Sequence, residues 1–282
     1  MIAGIIAALV TAPLLPGIIN KVKAFFAGRR GPRVFQLYFD LAKLAKKESV
    51  ISATSGGIIK AAPVLTLAFT LSALILLPIS GTLSPLSFNG DVLLFFYFLG
   101  SCRILSVLAA LDTGSSFEGM GSAREVFFSA LAEAALFAVL AFLTVFSGKF
   151  TLAGMLCFRG VESWVTFTPI LLVVISLFII MLAENCRVPF DDPETHLELT
   201  MIHEAMILDY SGFDLGTIFY SSALKLWMFA SIITSLLIPA GVLPLWGEIA
   251  AMAGGILLMT VLVGILEGEL REETALSYGS IV

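Results

Sequence analysis

The stretch Glu184–Asp214 reads ENCRVPFDDPETHLELTMIHEAMILDYSGFD and sits between two long apolar runs. Glu184, Arg187, Asp191, Asp192, Glu194, Glu198, Glu204, Asp209 and Asp214 crowd into it, while the rest of the chain is mostly apolar. Charge this dense beside membrane-like sequence is costly unless it is paired or functional. Asp192 followed by Pro193 is an N-cap and a first-turn proline, which predicts a short helix starting there. Glu194 suits the dipole of that helix, Glu198 shares its face four residues on, and Ser211-Gly212 ends the element. The flanking runs decide the fold class, because a chain in hydrocarbon must satisfy its backbone internally and does so as helix.

Composition agrees. Of 282 residues, 59% are hydrophobic and 13% charged, with a mean hydropathy of +1.02. Soluble domains are roughly 45–50% apolar. The expectation is an all-α, polytopic integral membrane protein, a single membrane domain over residues 1–282 with about seven transmembrane helices and amphipathic loop helices. The runs lie near 2–20, 60–80, 91–111, 123–147, 165–186, 215–238 and 246–268. No basic residue precedes the first run, and Lys21 and Lys23 follow it, so it reads as a span and not a secretory leader. Pro13 and Pro16 are expected to kink it. Nine of the 16 Lys and Arg residues lie between Lys21 and Lys60. The positive-inside rule therefore makes loop 21–60 cytoplasmic, and alternation adds 112–122 and 187–214. Loops 81–90, 148–164 and 239–245 then face outside. The tail 269–282, ELREETALSYGSIV, is too short and polar to cross. Cys102, Cys157 and Cys186 have no paired spacing, so neither an iron–sulfur cluster nor a nickel site is expected in this chain. Nucleic acid is not an expected partner.

The loop resembles the signature of the subunit 1 family of respiratory complex I. Members of that family carry a variant of the form AETNRAPFD before a glutamate-rich helix. DDPETHLELTMIHEAMILDYSG resembles more closely the branch in membrane-bound group 4 nickel–iron (NiFe) hydrogenases and formate hydrogenlyases. The resemblance runs from GRRGP at Gly28 to Glu267. It implies a membrane coupling subunit without a redox centre of its own, in a multi-pass plasma-membrane complex. The NiFe centre and the iron–sulfur clusters are then expected on partners: the hydrogenase large and small subunits of a cytoplasmic arm, beside antiporter-like membrane subunits and lipid. Dihydrogen evolution on the arm would be coupled through this chain to proton or sodium translocation. The alternatives are the quinone-site subunit of a complex I-like oxidoreductase and, in a different class, a proton-coupled transporter. The family usually has an eighth span after Glu267, which this sequence does not show.

In the first loop, Val34, Leu37, Tyr38, Leu41, Leu44 and Ala45 recur at helical spacing, with Asp40, Lys43, Lys46 and Lys47 between them. The lysines read as a lipid anchor. Arg29, Arg30 and Arg33 surround Gly31-Pro32 as a rigid cationic turn, and the resemblance, in which this loop packs under the arm, implies that they dock the arm and pair with the acidic loop. Within the spans stand Arg103, Glu125, Glu133 and Lys225, with Asp112 closing the third run and Glu248 and Glu267 bounding the seventh. A charge at the bilayer centre costs about 2.5–3.5 kcal/mol on insertion scales, so such groups face a bundle interior and find partners. Static ion pairing and proton relay both remain open for Arg103. Glu133, Glu184 and Lys225 read as proton-handling, and Asp40, Asp112, Glu125, Arg187, Asp191, Asp192, Glu194, Glu198, His203 and Glu204 complete the candidate relay. His196 and His203, seven apart with Thr200 between, lack the further ligands that zinc requires.

Overall fold

The computed structural model describes residues 2–52, 55–79, 84, 86–156, 164–191, 201–238 and 244–279, with the backbone alone at 2, 164–167, 245 and 271–279. Every regular element among them is a helix: α1 (Ile2–Thr11), α2 (Leu14–Phe26), α3 (Gln36–Leu44), α4 (Ile58–Leu76), α5 (Asp91–Asp112), α6 (Ser116–Ser147), α7 (Leu152–Leu156), α8 (Trp164–Glu184), α9 (His203–Met206), α10 (Gly212–Leu237) and α11 (Leu245–Gly279). By length and composition five of them, α4, α5, α6, α10 and α11, are fit to cross a membrane. The pair α1–α2, bent by 40°, makes a sixth, and α8 is apolar over Thr168–Glu184. Together they occupy the seven runs read from the sequence. The bend falls at Pro13, which has no N–H to give the helical ladder. Pro16 lies in the first turn of α2, where a missing N–H is harmless.

Three boundaries differ from expectation. The segment 112–122 was expected as a loop, yet α6 begins at Ser116. Of its glycines, Gly121 is a packing position: a Cβ there would stand 3.0 Å from the Ala205 Cβ and the Ile202 carbonyl oxygen, while Gly119 faces open space. Ser211-Gly212 starts α10 rather than ending the loop helix, with Ser211 in extended backbone at the N-cap position. The third difference is α11, which continues through Gly279 for 35 residues. That is roughly 52 Å at 1.5 Å per residue, well beyond a hydrocarbon core of about 30 Å.

Helix α10 is central, with 72% of its span buried against 28–39% for the other four. Several of its hydroxyls are satisfied locally, Thr217 donating to the Asp214 carbonyl, Ser221 to Thr217 and Thr234 to Ala230, whereas the buried Ser231 Oγ has no partner among the described residues. Such back-bonding lets polar side chains sit in an apolar helix. Helix α3 packs on α10, with Leu41 and Leu44 lying over Gly216.

The loops collect at two ends. The Val50 N–H donates to Ser211 Oγ at 2.8 Å, and the Ser211 hydroxyl returns a bond to the Val50 carbonyl at 3.0 Å. The Asp112 carboxylate accepts the Ile58 and Ile59 N–H groups at 3.1 and 3.2 Å. The described parts of loops 27–57, 113–115 and 185–211 therefore share one end of the bundle. At the other end the Gly90 N–H donates to the Phe150 carbonyl at 2.8 Å and the Leu152 N–H to buried Asp91 at 2.6 Å.

Candidate functional site

Helix α8 ends on Glu184, where a negative charge opposes the helix dipole and needs compensation. Arg103 of α5 supplies it through an ion pair from Nη2 to Glu184 Oε2. The Arg103 Nε also lies 3.4 Å from Glu125 Oε1 on α6. All three side chains are at least nine-tenths buried. One guanidinium thus bridges two carboxylates from two helices, the fork geometry for which arginine is suited.

The chain leaves α8 by a Schellman closure. The Arg187 N–H reaches the Leu182 carbonyl at 2.9 Å and the Cys186 N–H the Ala183 carbonyl at 3.2 Å. Cys186 holds φ +46, a left-handed position that usually falls to glycine. Its side chain gives a reason for the exception, because the Sγ–H donates to Glu125 Oε2 at 3.3 Å. The Asn185 amide donates to the Met181 carbonyl at 2.8 Å. Arg187 turns the other way, 3.5 Å from Glu267 of α11.

These groups border a cavity of about 40 Å³. Thr66 of α4, Arg103 and Ser106 of α5, Glu125 of α6, Glu184, Asn185 and Cys186 line one side. His203 and Met206 of α9 and Ile218, Ser221, Ser222 and Lys225 of α10 line the other. A water needs roughly 10–15 Å³ on this measure, so about three fit. Arg103 Nη2 aside, which the Glu184 ion pair engages, three buried polar atoms around the cavity have no hydrogen-bond partner among the described residues: Arg103 Nη1, Asn185 Oδ1 and His203 Nε2. Two cations and two carboxylates line it, so with His203 neutral the formal charge sums to zero. Among the described residues no group of His, Cys, Asp and Glu is placed to hold a metal ion.

The candidate relay residues therefore divide. Glu125, Glu184, His203 and Lys225 converge on the cavity. Asp112 caps α4. Asp191 accepts the Ile202 and His203 N–H groups at 3.0 and 2.9 Å and so starts α9. Glu133 is half-buried against Gly100 of α5 and does not line the cavity. Asp40 sits on α3 with Gln36 and Lys43. Glu204 is exposed on α9, and Arg187 is held by Glu267. Arg29, Arg30 and Arg33 are exposed, and no ion pair joins them to the described part of the acidic loop. Asp192, Glu194, His196 and Glu198 lie outside the described residues.

Sequence reasoning passed over Glu118, which is fully buried in the first turn of α6 and accepts the Asp209 N–H at 3.2 Å. Its position after Ser115-Ser116, at a helix start, was the available signal. Cys186 was passed over too, since nothing in a lone cysteine announces a left-handed turn. Beside Glu118, burial and then the carboxylates of Asp214, Glu118 and Asp112 push the Tyr210 phenol above its ordinary pKa.

The family model described as NADH dehydrogenase matches residues 1–270. The chain belongs to that family. It is 30% identical over 233 residues to hydrogenase-4 component C of Escherichia coli (strain K12), covering 83% of this chain and 73% of that protein. To formate hydrogenlyase subunit 4 of the same organism it is 28% identical over 258 residues, covering 91% and 80%. These relatives stand in the hydrogenase branch that the acidic loop resembles. A solved structure of the membrane-bound sulfane sulfur reductase, an archaeal respiratory membrane complex, contains a chain of the same fold. The TM-score is 0.78 at 20% identity, over 93% of this chain and 86% of the other.

Proposed function

We propose that this chain is the membrane coupling subunit of a group 4 nickel–iron hydrogenase in the plasma membrane. It anchors an electron-transfer arm and links dihydrogen evolution to proton movement through the cavity between α5, α6 and α10. The observation that supports this reading is Arg103 held between Glu125 and Glu184 beside Lys225, with polar atoms unpartnered around a space of water size. Burial raises the proton affinity of a carboxylate, and a neighbouring cation lowers it. Two carboxylates sharing one guanidinium respond to any added charge by exchanging which of them holds the proton. Waters joining Arg103 Nη1, Asn185 Oδ1 and His203 Nε2 would carry that proton to the loop end. The ion taken up here is a proton rather than sodium. Sodium would need several free oxygen ligands, whereas Arg103 and Lys225 repel a metal cation.

The test is the whole complex in proteoliposomes, with dihydrogen turnover and ion flux read together. Glu125→Gln keeps the shape of the side chain but cannot titrate. In that variant, and in Lys225→Met, the complex should assemble with its metal centres intact, while proton flux falls at least about tenfold. A pair that only neutralises Arg103 would behave otherwise: Glu125→Gln would leave buried charge uncompensated, at about 3–5 kcal/mol, and lower assembly. Normal assembly with unchanged turnover and flux in both variants removes the cavity from the mechanism. Nickel in the co-purifying subunits supports the hydrogenase assignment; iron with flavin and no nickel transfers it to the complex I branch.

A further inference from the structure

Glu267 lies near the loop end of α11 and is 1% exposed. Its Oε2 takes the ammonium of Lys23 from α2 at 2.7 Å, and its Oε1 faces Arg187 at 3.5 Å. The helices come close here because two glycines allow it. A Cβ on Gly264 would stand 2.8 Å from the Val22 Cβ, and one on Gly268 3.0 Å from the Phe26 Cβ. One buried carboxylate thus joins α2, α11 and the turn after α8.

That turn is the same one that faces the cavity. Its side chains are tied to three different neighbours: Glu184 to Arg103 on α5, Cys186 to Glu125 on α6, and Arg187 to Glu267 on α11. The turn also carries a left-handed non-glycine residue at Cys186, a conformation disfavoured for an L side chain. Such a residue stays in place when its surroundings over-determine it. The ties of Glu184 and Cys186 both reach inward to the ion-pair cluster. Arg187 supplies the outward one.

We propose that Glu267 is a positioning residue: by holding Lys23 and Arg187 on its two oxygens it fixes the Glu184–Arg187 turn, and so the placement of Glu184 and Cys186 at the cavity. What the turn does there rests on the proton-handling reading above; the anchoring stands on geometry alone. Lys23 extends the link to α2 and to the basic segment that follows it.

The test is alkylation of the complex in native membranes by N-ethylmaleimide, with mass spectrometry following Cys186 and Cys102 separately. Cys102 is fully buried between α4 and α5, where it meets Thr66 and Thr70, and it reports the fold as a whole. In Glu267→Gln, Cys186 should react at least about tenfold faster while Cys102 keeps its rate, the signature of a local opening. Lys23→Met should act in the same direction, and Lys23→Arg should restore the original rate. If Glu267→Gln does not accumulate, the two Lys23 variants decide the matter. Two results overturn the proposal: a Cys186 rate changed by less than about twofold, or Cys186 and Cys102 rising together, which means that the pair only holds the fold. Alkylation needs no ion flux. Unchanged flux in Glu125→Gln would therefore sink the function of the cavity and leave the anchoring intact.

Discussion

The Nε2 of His203 is closed off from solvent, and burial, reinforced by the charges of Lys225 and Arg187, lowers its pKa from 6.5 to about 4. The folded protein therefore refuses a proton that the unfolded chain accepts below pH 6.5. The stability this contributes is present above pH 6.5 and is lost as pH falls towards 4, by an amount on the order of 3 kcal/mol. Thermal inactivation midpoints at pH 7.5, 6.0 and 5.0 should fall in step. His203→Gln, neutral at every pH, should flatten that part of the decline; an identical pH dependence in the variant would mean that other groups carry it. A histidine that stays neutral at pH 7 can pass a proton without storing charge, as a site beside Lys225 requires. The sequence marked Glu125, Glu184 and Lys225 as costly and His203 as a candidate proton carrier, and the structure brings all four to the cavity. The sequence could not separate the carboxylates of Glu125 and Glu184 from those of Asp112 and Asp191. Whether a carboxylate caps a helix or borders a cavity depends on which N–H groups meet it, and for Asp112 those belong to residues 53 and 54 positions away.

The elements legible in the sequence were those with long apolar runs. Residues 60–80, 91–111 and 215–238 became α4, α5 and α10 with ends shifted by a few residues. A run of some 20 apolar residues has one stable form in lipid, which is why this reading succeeds. Helix α7, five residues inside an expected outer loop, has no periodicity to read. The early start of α6 was hidden because its glycines imitate a turn. Close helix contacts make the same residue type matter elsewhere. On Gly17 of α2 a Cβ would collide with the Val34 carbonyl oxygen, a backbone atom with no rotamer to escape into. Gly17→Ala should therefore push residues 31–35 away from α2, an overpacking cost of about 1–3 kcal/mol or more. The expected result is a lower thermal midpoint and weaker retention of the soluble subunits on washed membranes. Wild-type values for both would show that the loop accommodates the methyl group freely.

Across the whole molecule, the loop end carries both charge signs, and three of its carboxylates contrast with its arginine turn. The acidic groups Glu118, Asp191 and Glu267 are buried and engaged with the bundle itself. The basic groups Arg29, Arg30 and Arg33 are exposed, beyond the left-handed Gly28 that ends α2, and they share this end with the acidic loop. Of the two readings of the arginine turn, pairing with the acidic loop and docking the arm, the first falls largely on Asp192, Glu194 and Glu198, outside the described residues. Exposed guanidinium groups held in a glycine–proline turn offer a partner bidentate contacts at small entropic cost. Contacts of that kind at an accessible rim are screened by salt, with a Debye length of about 8 Å at physiological ionic strength. Joint replacement of Arg29, Arg30 and Arg33 by alanine should leave this chain in the membrane and release the soluble subunits at lower salt than wild type. Washing membranes through a salt series and blotting for the arm measures it directly. An arm that leaves wild type and variant at the same salt concentration is held by some other surface, since no purely apolar interface would need these three charges.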